Sequence, residues 1–135
     1  MNFFFNILSI CAIFSSLGAL KAVGNELDEV ICNAMKGMQA QEDKKIPYTI
    51  GDYELIGITV DCKKKALITE KKHIQHSLSD FSENFKINAT ENWKNANCKN
   101  MIFNTNTGWS TTQIIQDANK KVVLKLEANF EICSQ

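Results

Sequence analysis

The chain has 135 residues, room for one domain, and its 44% hydrophobic and 22% charged content is ordinary for a globular protein. Its 15 basic and 15 acidic residues cancel, so no net field draws it to nucleic acid or to an acidic membrane surface. Every basic residue is Lys, which removes the bidentate guanidinium clamp that favours phosphate and nucleic-acid sites.

Residues 3–14 (FFFNILSICAIF) form an apolar run of the length expected of a secretory leader, followed by small residues around Ser15, Gly18 and Ala19. Cleavage is expected after Ala19 or Ala22, which makes 1–22 a signal peptide and 23–135 a single mature domain. The polar breaks at Asn6 and Ser15-Ser16 argue against an uncleaved anchor. The bulky residue ahead of Cys11 argues against a lipoprotein. Loss of the leader removes Cys11 and leaves Cys32, Cys62, Cys98 and Cys133, an even number that reads as two disulfides. Three pairings are possible. Cys32 with Cys133 and Cys62 with Cys98 is the preferred expectation, because each bridge then ties a helix to a sheet. No CxxC pair is present to support a zinc ribbon or a redox site.

Residues 25–41 place Leu27, Val30, Ile31, Ala34, Met35 and Met38 on one stripe at helical spacing. Asn25 is the expected N-cap, with Glu26, Asp28 and Glu29 in the first turn. Ile46-Pro47 then bars further helix. Residues 53–60 (YELIGITV) and 66–73 (ALITEKKH) read as paired strands around the basic turn 61–65, whose Lys63, Lys64 and Lys65 are expected to be solvated. His73 and His76 could share a metal only on a helix, and no third ligand is close in sequence.

Residues 77–98 read as the second helix, with Leu78, Phe81, Phe85, Ala89, Trp93 and Ala96 on its apolar face. Asn88-Ala89-Thr90 matches the glycosylation triplet inside that helix. A polar loop around Met101, Ile102 and Phe103 leads to residues 109–116, a strand rich in Thr and Ile. After a turn at 117–120, Leu124, Leu126, Ala128, Phe130 and Ile132 alternate with Lys125, Glu127, Asn129 and Glu131, the period of a half-buried strand.

The order α-β-β-α-β-β predicts an α+β two-layer sandwich, a four-stranded antiparallel sheet with two helices on one face. Ile46-Pro47, Asp52, the strand at 55–60, residues 67–72, Phe81, Asn97-Cys98, Gly108 and residues 116–126 with Asp117 and Lys120 carry a resemblance. They resemble a family of small exported bacterial proteins, the quorum-sensing-regulated virulence factor type. The resemblance spans nearly the whole mature chain and implies the same fold and an exported location. It departs from the pattern in Ile46, in Asn119-Lys120 where the family's turn has Gly, and in the extra cysteines.

No catalytic constellation is legible. His73 and His76 are the only histidines, Ser77 and Ser110 lie in no nucleophile elbow, and Asp80 and Glu83 fall on the polar side of the helix. A small hydrolase is the weakest reading, and no cofactor or metal is expected. The expected function is a secreted or periplasmic, non-catalytic protein-binding module, an effector or inhibitor. The alternative is an accessory component of an envelope assembly such as a secretion or conjugation apparatus. The expected partner is another protein, neither nucleic acid nor membrane, met by strand addition or by the sheet face away from the helices. On that face the expected residues are Thr111, Gln113, Lys125, Glu127 and Asn129.

Overall fold

The computed structural model describes residues 24–135, so the leader expected over 1–22 lies outside the described residues. Helix α1 (Gly24–Asp43) is followed by β1 (Tyr48–Ile50), β2 (Tyr53–Asp61) and β3 (Ala66–His73). A single 3-10 turn (Leu78–Asp80) precedes α2 (Glu83–Asn97) and the short α3 (Met101–Asn104). Strands β4 (Ser110–Gln116) and β5 (Val122–Ala128) and a one-turn helix α4 (Phe130–Cys133) complete the chain.

The fold is α+β, but the sheet is five-stranded and mixed, in the order β1-β2-β3-β4-β5, rather than four-stranded and antiparallel. Strand β1 is the addition. Gly51, at φ +59°, turns the chain so that Tyr48 pairs with Leu55 and Ile50 with Tyr53. The two hairpins meet through β3 and β4, which run parallel, Leu67 beside Thr111 and Lys71 beside Ile115. A helical crossover between adjacent strands returns the chain to the end where it began, so the second strand repeats the direction of the first.

Both main helices cover the same sheet face. Helix α1 buries Ile31, Met35 and Met38 against Leu55, Ile58, Val60 and Leu67. Val30, expected on the same stripe, is 41% exposed. Asn25 lies within the helix, which is described from Gly24, rather than at a cap. At its other end Glu42 is buried, accepting from the Tyr48 hydroxyl at 2.8 Å and lying 3.1 Å from Lys45 Nζ. Burial and that carboxylate push the Tyr48 hydroxyl up to about 12.

The second helix is shorter than its apolar spacing predicts. Ser77 and Asp80 close a capping box around one 3-10 turn, and Phe81 then turns extended. Ser82 restarts the helix by accepting from the Phe85 amide at 3.1 Å. Its buried Trp93 packs with Ile115, Leu126 and Ala128. In the connection to β4, Asn100 caps α3 through the Ile102 amide (2.9 Å), and Ile102 and Phe103 drop into the α1 side of the core beside Trp109. The alternation after Ala128 does not continue as strand. Asn129 accepts from the Ile132 amide at 2.9 Å and starts α4, so Phe130 is 39% exposed instead of core.

The disulfides differ from the preferred pairing. Cys32 joins Cys62 and Cys98 joins Cys133. A bridge needs Cα atoms about 4.4–6.8 Å apart, and these pairs stand at 5.5 and 5.3 Å. The first bridge ties the face of α1 to the turn of the β2–β3 hairpin and the second ties the end of α2 to α4, so each lies within one half of the chain rather than across it.

Candidate functional site

The core is divided. One apolar cluster gathers under α1 and the other under α2, and the floor between them, on β3 and β4, is polar. Thr69, Thr111 and Gln113 are buried there. Gln113 Nε2 donates to Thr69 Oγ1 at 3.5 Å, and Thr111 Oγ1 has no hydrogen-bond partner among the described residues.

Lys71 is the next residue of β3 on the same face, between buried Thr69 and buried His73. Cross-strand pairing places Lys71 between Leu55 of β2 and Ile115 of β4, and its side chain is half-buried. Its ammonium stands 4.3 Å from the centroid of the Tyr53 ring, a cation–π contact. Among the described residues no carboxylate lies within ion-pair distance of it. Desolvation lowers the affinity of Lys71 for its proton, and burial, then the charge of Asp52, raises the Tyr53 hydroxyl.

An aromatic wall stands beside that lysine. Tyr53 meets His73 edge-on at 4.9 Å, His73 meets Phe81 at 5.6 Å, and Phe81 meets Phe85 at 5.1 Å between centroids. His73 is buried and its Nδ1 accepts the backbone N–H groups of Gln75 (3.1 Å) and His76 (3.0 Å), which fixes the neutral tautomer with its proton on Nε2. Burial lowers its pKa, the nearby His76 adds to that, and Asp52 and Asp80 oppose it. Chemically, the site offers one desolvated cation, flat apolar surfaces and amide and hydroxyl groups on its floor. That combination suits holding an acidic, partly apolar segment.

The residues expected on the outer sheet face separate. Lys125 and Glu127 are exposed there, as expected. Thr111 and Gln113 are on the opposite, helix-covered face, 1% and 8% exposed. The register explains the correction. Thr111 lies opposite Ala128 and Gln113 opposite Leu126, and directly opposed residues share a face, so both must point with the core. Thr112 and Ile114, opposite Glu127 and Lys125, take the outer positions. Asn129 is the cap of α4.

Other motifs resolve locally. Asp61 accepts from the Lys63 and Lys64 amides at 3.0 Å each, and Lys65 is drawn to Asp28 at 2.7 Å. His73 and His76 stack edge-on, 4.3 Å between centroids, and no group of three metal-binding side chains forms among the described residues. Ser77 bonds to Asp80 and Ser79, Ser110 is a strand residue, and Asn88 of the glycosylation triplet is exposed on α2. Sequence reasoning missed the polar floor. Its signal was the polar Thr-Lys-His series at alternate positions of β3, at 69, 71 and 73, where a core-facing strand would carry apolar residues.

No protein-family model matches the chain, and no curated protein matches it in sequence. Two solved structures share its fold. A Pseudomonas aeruginosa protein assigned as secreted is 13% identical with a TM-score of 0.60, covering 78% of this chain and 95% of that one. The pilotin EpsS of the Vibrio vulnificus type 2 secretion system is 10% identical with a TM-score of 0.54, covering 81% of this chain and 93% of the pilotin. The expected likeness to small exported proteins is thus met in the fold. The narrower virulence-factor family has no matching model. Among the described residues, no helix is long and apolar enough to cross a membrane.

Proposed function

We propose that the chain is an exported, non-catalytic binding protein that serves an envelope assembly by holding a segment of a protein partner at Lys71 and the adjoining aromatic wall. One observation carries this reading: a half-buried lysine whose charge rests on the Tyr53 ring and on no carboxylate among the described residues. A partner carboxylate placed over it would regain in the complex the ion pairing that the free protein lacks, while Phe81 and Phe85 take apolar side chains beside it.

Export is supported by two disulfides, which persist in oxidising compartments, and by the leader expected over 1–22. The accessory role, rather than an effector or inhibitor, is supported by the fold shared with a secretion-system pilotin. A photo-crosslinking residue in place of Phe85, in the producing cell, tests it. The expected product is one crosslinked envelope component, lost when Lys71→Glu is added. A crosslink that survives Lys71→Glu, or none at all, overturns the reading.

A further inference from the structure

Strand β5 is an edge. It is outermost in the sheet, and among the described residues no hydrogen bond from another element reaches Val122–Ala128 on its free side. The opposite edge, β1, is only three residues long. An unpaired edge of this length is a template for another strand, and proteins that leave one open usually blunt it with charge or use it.

Its charges decide what fits. Val122 opposes Gln116 and Leu124 opposes Ile115, so Val123 is a bulge, and the uninterrupted run is Leu124–Ala128, centred on Leu126. Lys125 and Glu127 flank that centre on the outer face, both exposed, while Leu126 and Ala128 are buried beneath α2. A second copy approaching antiparallel, with its helices on the same side, must pair outer residues with outer residues. Centring on Lys125 opposes two lysines, and centring on Glu127 opposes two glutamates. Centring on Leu126 pairs Lys125 with the other copy's Glu127 twice and uses the whole uninterrupted run.

We propose that β5 is a self-association edge, through which two copies join antiparallel about Leu126 into one continuous sheet with Lys125–Glu127 pairs across the two-fold axis. The backbone ladder supplies the attraction, and the two charge pairs select the register and the partner, a second copy of this chain.

The test is a charge swap on the disulfide-bonded protein, read by sedimentation and native mass spectrometry over a concentration series. The native sequence is expected to show a concentration-dependent dimer. Lys125→Glu alone and Glu127→Lys alone each set like charges opposite each other twice, and are expected to weaken dimerisation about tenfold or more. The double variant Lys125→Glu/Glu127→Lys restores both pairs and is expected to return to within about threefold of the native protein. Both positions are exposed, so the fold tolerates the exchanges, and circular dichroism of each variant confirms it. A native protein that stays monomeric overturns the proposal. So does a dimer indifferent to the single reversals, or one the double exchange fails to restore.

Discussion

Lys65 Nζ lies 2.7 Å from Asp28 Oδ2, joining the tip of the β2–β3 hairpin to the first helix. The other oxygen of that carboxylate accepts the indole N–H of Trp109 at 3.3 Å, and Trp109 is 1% exposed. The two partners differ in what they need. The ammonium can turn to water, so its ion pair is expected to contribute about 0–1 kcal/mol. The buried indole N–H cannot. Asp28→Asn, which keeps an acceptor for Trp109, is therefore expected to cost less than about 1 kcal/mol, and Asp28→Ala about 1–3 kcal/mol. Urea midpoints of the two variants check the difference, and equal losses would refute it.

Acid is expected to loosen the corner held by His73. Its pKa is lowered in the folded state, so below the ordinary value of 6.5 the unfolded chain binds more protons than the folded one. The contribution is complete above that pH and falls as the pH drops from it towards the folded-state pKa. A proton on Nδ1 would also displace the amides of Gln75 and His76. His73→Phe keeps the edge-on ring contacts and removes the titration. It is expected to flatten the fall in urea midpoint between pH 7.5 and 5.5, and a slope unchanged from the native protein would count against the assignment.

Replacing both Cys98 and Cys133 by Ala is expected to lower stability by roughly 4 kcal/mol in the chain-entropy account, since the bridge closes a separation of 35 residues. The loss should come with faster proteolytic trimming of α4, which the bridge fastens to the end of α2. Denaturant unfolding and limited digestion followed by mass analysis measure the two effects.

Lys120 adopts φ +64°, a conformation that suits glycine. Lys120→Gly relieves that strain but frees the unfolded chain, so the net gain is expected to be at most about 1 kcal/mol. Thermal unfolding reads it. A loss of stability would show that the lysine side chain contributes something the turn geometry does not require.

Removing the charge at Lys71 separates binding from folding. Lys71→Met keeps the aliphatic stem and spares the cost of desolvating the ammonium, so its stability is expected to stay within about 1 kcal/mol of the native protein. Partner capture at the Phe85 crosslinking position is expected to fall. Unchanged capture would refute the role given to the lysine.

The bounds of strand β3 were legible because residues 66–73 return directly from the basic turn at 61–65, but its core face was not, since Thr69, Lys71 and His73 are polar. The three-residue β1 was not, since Tyr48–Ile50 is too short to display a period and exists only by pairing with β2. The break before α2 was written in Ser77 and Ser82, two caps five residues apart, but the apolar spacing of Leu78, Phe81 and Phe85 ran through both. The parallel junction was also accessible, because a helix between two strands is the usual sign of a crossover. The faces of Thr111 and Gln113 were not. Threonine and glutamine carry no burial signal of their own, and only the register against Ala128 and Leu126 fixes where they point.

The order of the four bridged cysteines has a consequence for how the protein is made. Among these four each is joined to its neighbour along the chain, the first with the second and the third with the fourth. A polypeptide delivered from its N-terminus to an oxidising catalyst exposes Cys32 and Cys62 as a pair before Cys98 arrives. Linking successive thiols as they emerge then yields the native connectivity directly, and reshuffling by a disulfide isomerase is not required.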